Sequence, residues 1–326
     1  MLNKRYMQPL RLTVAWGFLL FQLYLVIAFF RFFNYFRSGG TAQFIPRPDG
    51  IEGFLPISAL LSLKGWWMSG AINQVHPAAL VIFLSAIAVS LLLRRSFCSW
   101  ICPVGTLSEL LWKCGSRLFG RNLRLPRLLD RALRGVKYLL LAFFLYSIFW
   151  IMDRAQVTSF ITSDYNKVAD ARLLEFFLHL SPLAAAIILF LVILSLPLRI
   201  PFCRFLCPYG ALLGLVALSS PISVTREKKS CKGCGVCSGV CPAHIPVMEK
   251  ERVISEECVG CWRCISHCRE PGALEMKLAG QKAALSGVLF ALLVVGLFWG
   301  GTMIGRATGH WHTAITFGEY ARLLGL

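Results

Sequence analysis

The stretch FCSWICPVG at Phe97–Gly105 is matched by the stretch FCRFLCPYG at Phe202–Gly210. Each motif contains two cysteines four residues apart, followed by a proline, one further residue and a glycine. Residues i and i+4 lie on one face of a helix, so the two cysteines of a motif point the same way. A residue before proline is pushed out of the helical region, whereas proline itself suits the first position of a helix. Each motif therefore predicts a helix that ends at its second cysteine and a new helix that begins at its proline.

Both motifs follow long apolar runs, and the composition of the chain indicates a membrane protein. Hydrophobic residues make up 56% of the 326 residues, and the mean hydropathy of +0.64 is high for a soluble protein. A transmembrane helix needs about 20 apolar residues to cross the hydrocarbon core. Five runs approach this length and are predicted to be transmembrane helices: Leu12–Phe33, Pro77–Leu93, Val136–Ile151, Leu178–Leu196 and Ala283–Ile304. The first run is too long for the apolar part of a signal peptide, so we expect it to remain as a membrane anchor.

The formal net charge of +18 is distributed unevenly between the segments that join these runs. Arg94–Lys137 carries ten Lys and Arg against two acids, and Arg199–Lys282 carries twelve against seven. By contrast, Asn34–His76 and Asp153–His179 carry three basic residues each. The positive-inside rule therefore predicts a multi-pass protein of the cell inner (cytoplasmic) membrane, with the N-terminus and both basic loops in the cytoplasm and the C-terminus outside. Because topology accounts for these charges, we expect no nucleic-acid partner.

Two further stretches, CKGCGVCSGVCP at Cys231–Pro242 and CVGCWRCISHC at Cys258–Cys268, share the spacing C-x2-C-x2-C-x3-C. In bacterial ferredoxins with this spacing, three cysteines hold one [4Fe–4S] cluster and the fourth ligates the other cluster. Zinc sites use paired cysteines instead, and disulfides are disfavoured in a reducing cytoplasm. The pattern predicts a first cluster on Cys231, Cys234, Cys237 and Cys268, and a second cluster on Cys258, Cys261, Cys264 and Cys241. The flanking segments Ile222–Glu227 and Ala273–Leu278 predict the short strands that close such a domain.

The cysteines of the two opening motifs predict a third site at the inner membrane surface. The motifs lie 105 residues apart in the same orientation, as in a parallel internal repeat with a pseudo-twofold axis along the membrane normal. Such an axis brings together four thiols, which we call the membrane quartet: Cys98, Cys102, Cys203 and Cys207. Soft ligands of this kind favour zinc, copper(I) or iron–sulfur chemistry. Three roles are consistent with the sequence: a metal or iron–sulfur centre, a thiol/disulfide redox relay, or a structural role alone.

In this order, the four cysteine motifs resemble those of the NapH/NosR-type membrane polyferredoxins, and the resemblance spans Arg94 to Leu278. It implies a NapH-like quinol dehydrogenase membrane subunit with two [4Fe–4S] clusters. Such a subunit passes electrons between the quinone pool and a partner oxidoreductase, ferredoxin-type protein or cytochrome subunit. The resemblance implies one component of a larger complex rather than a stand-alone enzyme, and it identifies no catalytic residue.

A different function is implied by a second group of relatives. The CcoG-type proteins are similar in their C-x3-C-P motifs and ferredoxin unit, and they are linked to copper reduction during oxidase assembly. On this alternative, the membrane quartet would bind or reduce copper, and the chain would be a copper reductase or metal-handling assembly factor.

The histidines of the chain bear on where a quinone site would lie. Four of the six histidines map near the predicted outer face: His76, His179, His310 and His312. About 30 Å of bilayer would separate a site there from clusters at the inner face. We therefore expect any quinone reactivity nearer the membrane quartet.

The predicted fold is an α-helical integral membrane protein with an inserted α+β domain of the two-cluster bacterial ferredoxin type. Residues 1–198 are predicted to form a membrane domain with four transmembrane helices and the first motif. Residues 199–282 form a cytoplasmic part with the second motif and the ferredoxin domain. Residues 283–326 hold the fifth transmembrane helix and a tail on the outer side.

Overall fold

The computed structural model describes residues 6–120, 122–281 and 283–324. Its α-helices in chain order are α1 Met7–Arg37, α2 Pro56–Ser69, α3 Pro77–Leu93, α4 Phe97–Trp100, α5 Pro103–Leu118, α6 Arg127–Tyr146, α7 Arg154–Thr162, α8 Asp164–Lys167, α9 Ala169–Leu178, α10 Pro182–Leu194, α11 Pro208–Val216, α12 Val236–Gly239, α13 Arg263–Ser266, α14 Gly287–Ala307 and α15 Phe317–Leu324. The strands are β1 Ile222–Arg226, β2 Arg252–Val253 and β3 Leu274–Leu278. Residues 1–5, part of the N-terminus that we expect in the cytoplasm, lie outside the described residues.

Three helices in the described ranges are long and apolar enough to cross a membrane. They are α1, α14, and α6 together with the π-type turn Ser147–Ile151 that continues it. Helices α9 and α10 add a fourth span if they count as one, although the chain bends by 82° between them. Helix α3 is apolar but has 17 residues. The chain is therefore a membrane protein by its helices, and the predicted number of five spans stays a prediction.

Several helix boundaries differ from those predicted by hydropathy, among them those of α6 and α10. Helix α6 begins at Arg127 rather than near Val136, because the arginines of its first turns lower hydropathy without weakening the helix. Helix α10 covers Pro182–Leu194 and is shorter than the predicted run Leu178–Leu196. Its start follows from Pro182, since the residue before a proline is disfavoured in a helix.

The described chain forms two compact units, each assembled from three separate segments. Unit 1 comprises residues 1–19, 86–141 and 188–298, and unit 2 comprises residues 20–85, 142–187 and 299–326. The domain boundaries predicted at residues 198 and 282 stay a prediction. Both basic loops belong to unit 1, whereas the two loops with few basic residues belong to unit 2.

Unit 1 contains the three-stranded antiparallel sheet, in which β1 lies between β2 and β3. Val224 at the centre of β1 is opposite Val253 on β2 and Met276 on β3, and all three side chains are buried. The two strands predicted from the sequence are thus confirmed, and they hold the cysteine-rich segments of the ferredoxin loop between them.

Unit 2 is built around an aromatic core from α1 and α15, in which Phe32 packs edge-on against Tyr320 with ring centroids 5.3 Å apart. Beside it lies a buried ionic network: Arg47 pairs with Asp170 over 2.7 Å and with Glu52 over 3.0 Å. Farther along unit 2, the buried ammonium group of Lys64 donates to the backbone carbonyls of Ile148, Phe149 and Met152. These carbonyls end the π-type turn after α6 and have no partner within the helix, so Lys64 satisfies them.

Candidate functional site

The two C-x3-C-P motifs adopt matched turns. In the first, the backbone N–H of Cys102 donates to the carbonyl of Phe97 over 3.0 Å, and in the second that of Cys207 donates to Phe202 over 3.0 Å. Each is an i+5 bond of the π-helical type, so the turn is wider than the predicted α-helical one. Cys102 and Cys207 are extended, with ψ of 125° and 107°. The predicted break before each proline is therefore confirmed, and α5 and α11 begin at the prolines.

The first turns of α5 and α11 direct backbone N–H groups at the second cysteine of each motif. Gly210 N–H donates to the sulfur of Cys207 over 3.2 Å, and Gly105 N–H donates to the sulfur of Cys102. The N–H groups at a helix start have no partner within the helix, and their positive end favours a thiolate. These N–H groups favour the thiolate of Cys102 and of Cys207, and they oppose the burial that raises the pKa of both thiols.

The glycine of each motif is required by close packing. A Cβ atom on Gly105 would collide with the carbonyl oxygen of Cys98. A Cβ atom on Gly210 would collide with the guanidinium of Arg95 and would approach the carbonyl oxygen of Cys203 to 3.4 Å. In the first motif the new helix therefore packs on the backbone of the first cysteine, which only a residue without a side chain permits, whereas in the second motif it packs mainly on the Arg95 side chain.

The structure brings the membrane quartet together. The thiol of Cys203 lies within electrostatic interaction distance of the other three thiols, Cys98, Cys102 and Cys207. Cys203 is buried, and its three partners are half-buried.

Sequence reasoning missed Arg95, the residue that joins this quartet to the ferredoxin loop. Its Nε donates to Cys98 Sγ over 3.3 Å, and its Nη2 donates to the carbonyl of Cys203 over 3.0 Å. Its Nη1 lies 3.7 Å from a carboxylate oxygen of Glu257, the residue before Cys258. The side chain is only 2% exposed. In the sequence, Arg95 was one of ten basic residues in a loop whose charge was explained by topology.

In the ferredoxin loop, three cysteines of the first predicted set and all four of the second lie near one another. Cys237 interacts electrostatically with Cys231 and Cys268, which belong to the first set. Cys264 interacts in the same way with Cys241, Cys258 and Cys261, which complete the second set. A narrow cavity is lined by all four cysteines of the second set and by apolar side chains of the sheet, including Val224 and Val253.

The surroundings of these thiols suit cluster ligands. Backbone N–H groups of Gly233 and Gly260, both at positive φ, donate to the sulfurs of Cys231 and Cys258. Burial, with the nearby thiol of Cys261, raises the pKa of Cys241 to about 12. Such a thiol ionises when a cation binds it and displaces the proton. In the described parts of the chain, no three His, Cys, Asp or Glu side chains are close enough to hold a single metal ion.

Side chains of the first motif bind directly to the loop of the second cysteine set. Ser99 Oγ donates to the carbonyl of Val259 over 2.5 Å, and Trp100 Nε1 donates to that of Gly260 over 3.1 Å. From α1, Gln8 Nε2 donates to the carbonyl of Cys261 over 2.8 Å. All of these residues belong to unit 1. The second cysteine set is therefore anchored on the motif that carries half of the membrane quartet.

The first cysteine set is closer to solvent. Cys234 is exposed, Cys231 and Cys268 are half-buried, and Cys237 is buried. The lysine run beside it is partly paired, since Lys228 binds Glu251, and Lys232 lies 2.9 Å from Glu270. Of the two sets, this one contains the exposed cysteine.

The four histidines predicted near the outer face form no common site. His76 is fully buried and contacts Glu52 over 3.2 Å and the carbonyl of Asn166 over 2.6 Å. His312 pairs with Asp49 over 2.8 Å, whereas His179 contacts Arg37. The carboxylates that contact His76 and His312 belong to one ionic network, because Arg47 pairs with both Glu52 and Asp49. The ring of His310 lies instead beside Gln74.

Comparison with known proteins agrees with this geometry. A family model described as "4Fe-4S binding domain" matches residues 75–126 and 179–226, which contain the two C-x3-C-P motifs. A second model, "4Fe-4S dicluster domain", matches residues 223–269. An Escherichia coli (strain K12) protein named for electron transport, YccM, is 43% identical over 309 residues, which cover 93% of this chain and 86% of that protein.

More distant relatives also match the chain. Protein NirI of Paracoccus denitrificans is 29% identical over 73% of this chain, which spans 35% of NirI. The ferredoxin-type protein NapH of Escherichia coli is 27% identical over 60% of this chain and 68% of its own length. No solved structure matches the chain.

The matched models and the cysteine sets define the class: an iron–sulfur electron-transport protein of the ferredoxin type. The chain belongs to the NapH/NosR-type family of membrane polyferredoxins.

Proposed function

We propose that the chain carries electrons between the membrane quinone pool and a partner redox protein, as the membrane subunit of a quinol dehydrogenase complex. The observation that carries this proposal is the pair of hydrogen bonds from Ser99 and Trp100 to the loop of Cys258 and Cys261. They support an electron route that runs from the membrane quartet to the second cysteine set and then to the exposed first set.

In this proposal the crossed sets hold two [4Fe–4S] clusters, which supply one-electron transfer when bound. Cys231, Cys234, Cys237 and Cys268 hold the first cluster, and Cys258, Cys261, Cys264 and Cys241 hold the second. The chain's own contribution is to donate backbone N–H groups to the sulfurs and to surround the second set with apolar side chains. Amide hydrogen bonds and exclusion of water are the means by which proteins tune cluster potentials.

The membrane quartet is proposed as a third redox-active or metal-binding centre. Its soft thiols, the N–H groups at the starts of α5 and α11 and the guanidinium of Arg95 all favour thiolates that bind a cation. Placement of the quartet at the cytoplasmic face of the inner membrane follows from the asymmetry of basic residues. Five spans, with the N-terminus inside and the C-terminus outside, complete the proposed topology.

Iron content and low-temperature EPR of anaerobically purified protein test the proposal. Two cubanes give about eight irons per chain, and a third at the quartet gives about twelve. A Cys102→Ser variant should lose the quartet signal alone. Cys114→Ser is the matched control, because Cys114 lies on α5 outside every cysteine motif. Colourless protein that holds zinc would refute the iron–sulfur assignment.

Addition of a quinol analogue to the oxidised protein tests the quinone half of the proposal separately. We expect the quinol analogue to reduce the clusters of the wild-type protein, so that EPR signals of reduced clusters appear. If intact clusters stay oxidised and the protein instead binds stoichiometric copper at the quartet, the metal-handling alternative replaces quinol oxidation.

A further inference from the structure

A second, larger cavity lies beside the ferredoxin loop, within unit 1. It has a volume of about 640 Å³ and is bounded by the first turns of α6, the segment that precedes them and the loop after Cys241. This size falls in the range of small-molecule sites, about 300–1,000 Å³. None of the cluster ligands lines it.

The lining of this cavity is strongly cationic. On α6, residues 127, 130, 131 and 134 line it, and their spacing shows that one helix face borders the cavity. Three acids contribute, Asp130, Glu249 and Glu256, against six cations: Arg124, Arg127, Arg131, Arg134, Arg204 and Lys250. The cavity therefore has an excess of positive charge.

The carboxylate of Asp130 is already paired with two of these arginines. Asp130 binds Arg204 over 2.8 Å and Arg134 over 3.2 Å. Within the described ranges, the guanidinium groups of Arg124, Arg127 and Arg131 form no hydrogen bond or ion pair. Like charges that gather around one cavity repel each other unless a counter-ion lies between them.

Two buried nitrogens at the cavity also lack a partner among the described residues, Nε of Arg204 and Nδ1 of His244. The Arg204 side chain is only 6% exposed. An imidazole ring offers at least one N–H donor. Buried donors without a partner in the protein are expected to bind a ligand or water.

We propose that this cavity binds an anion that carries a phosphate group. The planar guanidinium fork matches phosphate oxygens, and the start of α6 adds the positive end of a helix. The phosphate could belong to an anionic lipid or to a soluble compound. A lipid source fits the position, because Leu128 on the same turn of α6 is exposed and basic pockets at the cytoplasmic ends of membrane helices bind anionic headgroups.

The test uses the full-length protein and an Arg124→Gln/Arg131→Gln variant. The matched control is Arg117→Gln, which removes an exposed arginine of α5 that does not line the cavity. Calorimetric titration with inorganic pyrophosphate measures binding of a soluble phosphate compound. Native mass spectrometry measures binding of an anionic lipid. It counts the lipids retained by protein released from phosphatidylcholine nanodiscs with and without cardiolipin. EPR of the clusters in each variant confirms that the fold is intact.

We expect wild type and Arg117→Gln to bind alike, and the double variant to bind at least about tenfold more weakly, because charge-assisted hydrogen bonds are lost. Binding of pyrophosphate identifies a soluble ligand, and retention of cardiolipin without pyrophosphate binding identifies a lipid. Equal binding by all three proteins, or binding of neither probe by wild type, would overturn the proposal whether or not the chain transfers electrons.

Discussion

The Nε atom of Arg95 donates to the sulfur of Cys98 across 3.3 Å. The same guanidinium faces Glu257, whose other carboxylate oxygen accepts a hydrogen bond from Lys137. The side chains of Arg95, Glu257 and Lys137 are nearly completely buried. Because Glu257 precedes Cys258, this arginine connects the membrane quartet to the second cysteine set by charge as well as by contact.

Replacement of Arg95 by Met should lower the free energy of unfolding by about 3 kcal/mol, since one partner of a buried ion pair is removed. Glu257 retains Lys137, which keeps the loss from being larger. Arg95→Lys should be intermediate, because an ammonium keeps the charge but cannot make the same set of hydrogen bonds. Denaturant titration in one detergent measures both variants. An Arg95→Met protein as stable as wild type would show that the network contributes nothing to stability.

The motif glycines should differ in their tolerance of alanine. Gly105→Ala forces a collision with the backbone oxygen of Cys98 and should cost more than about 2 kcal/mol of stability. Gly210→Ala meets mainly the end of the Arg95 side chain, which can move, so its cost should be smaller. Gly135→Ala on α6 is the control, because no atom lies within 4 Å of its added methyl group. Thermal unfolding should rank the three variants in that order, and equal losses would contradict the proposed packing.

Iron content of double variants tests the crossed assignment of ligands. Cys241→Ser and Cys264→Ser should each remove about four irons, and the double variant should remove no more, because both residues hold the second cluster. Cys237→Ser/Cys241→Ser should remove about eight, since these neighbours serve different clusters. If each run of cysteines held its own cluster, the two double variants would give the opposite result.

The buried ring of His76 makes the stability of unit 2 depend on pH. Burial lowers the pKa of His76, but the hydrogen bond and charge of Glu52, with Asp170, outweigh both burial and the charge of Arg47 and raise it above 6.5. Because the pKa of His76 is higher in the folded protein than in the unfolded chain, its protonation stabilises the fold. This stabilisation is complete below the pKa of the unfolded chain, near 6.5, and is lost as the pH rises through the pKa of the folded protein. Thermal midpoints between about pH 5.5 and 8.5 should therefore fall with pH. His76→Gln should flatten this slope and His310→Gln should not; a slope unchanged in His76→Gln would assign it to other groups.

The cysteine spacings, the breaks before Pro103 and Pro208 and the two strands of the ferredoxin segment were predictable from the sequence. These features depend on residues a few positions apart, where covalent geometry limits the arrangements that the chain can adopt. Apolar runs likewise indicated membrane helices, although arginines in the first turns of α6 hid its start. The wider π-type turn of each motif was missed, because no residue type signals it in advance.

Only the tertiary structure decided which distant residues meet at the site. Lys137 and Glu257 are 120 positions apart, and Ser99 and Val259 are 160 apart. In the sequence, Arg95, Arg131 and Lys137 look alike, as members of one basic loop. In the folded chain, Arg95 donates to the sulfur of Cys98, Arg131 lines the proposed anion cavity, and Lys137 pairs with the buried Glu257. Electrostatic interactions depend on distance in space, which sequence position does not give.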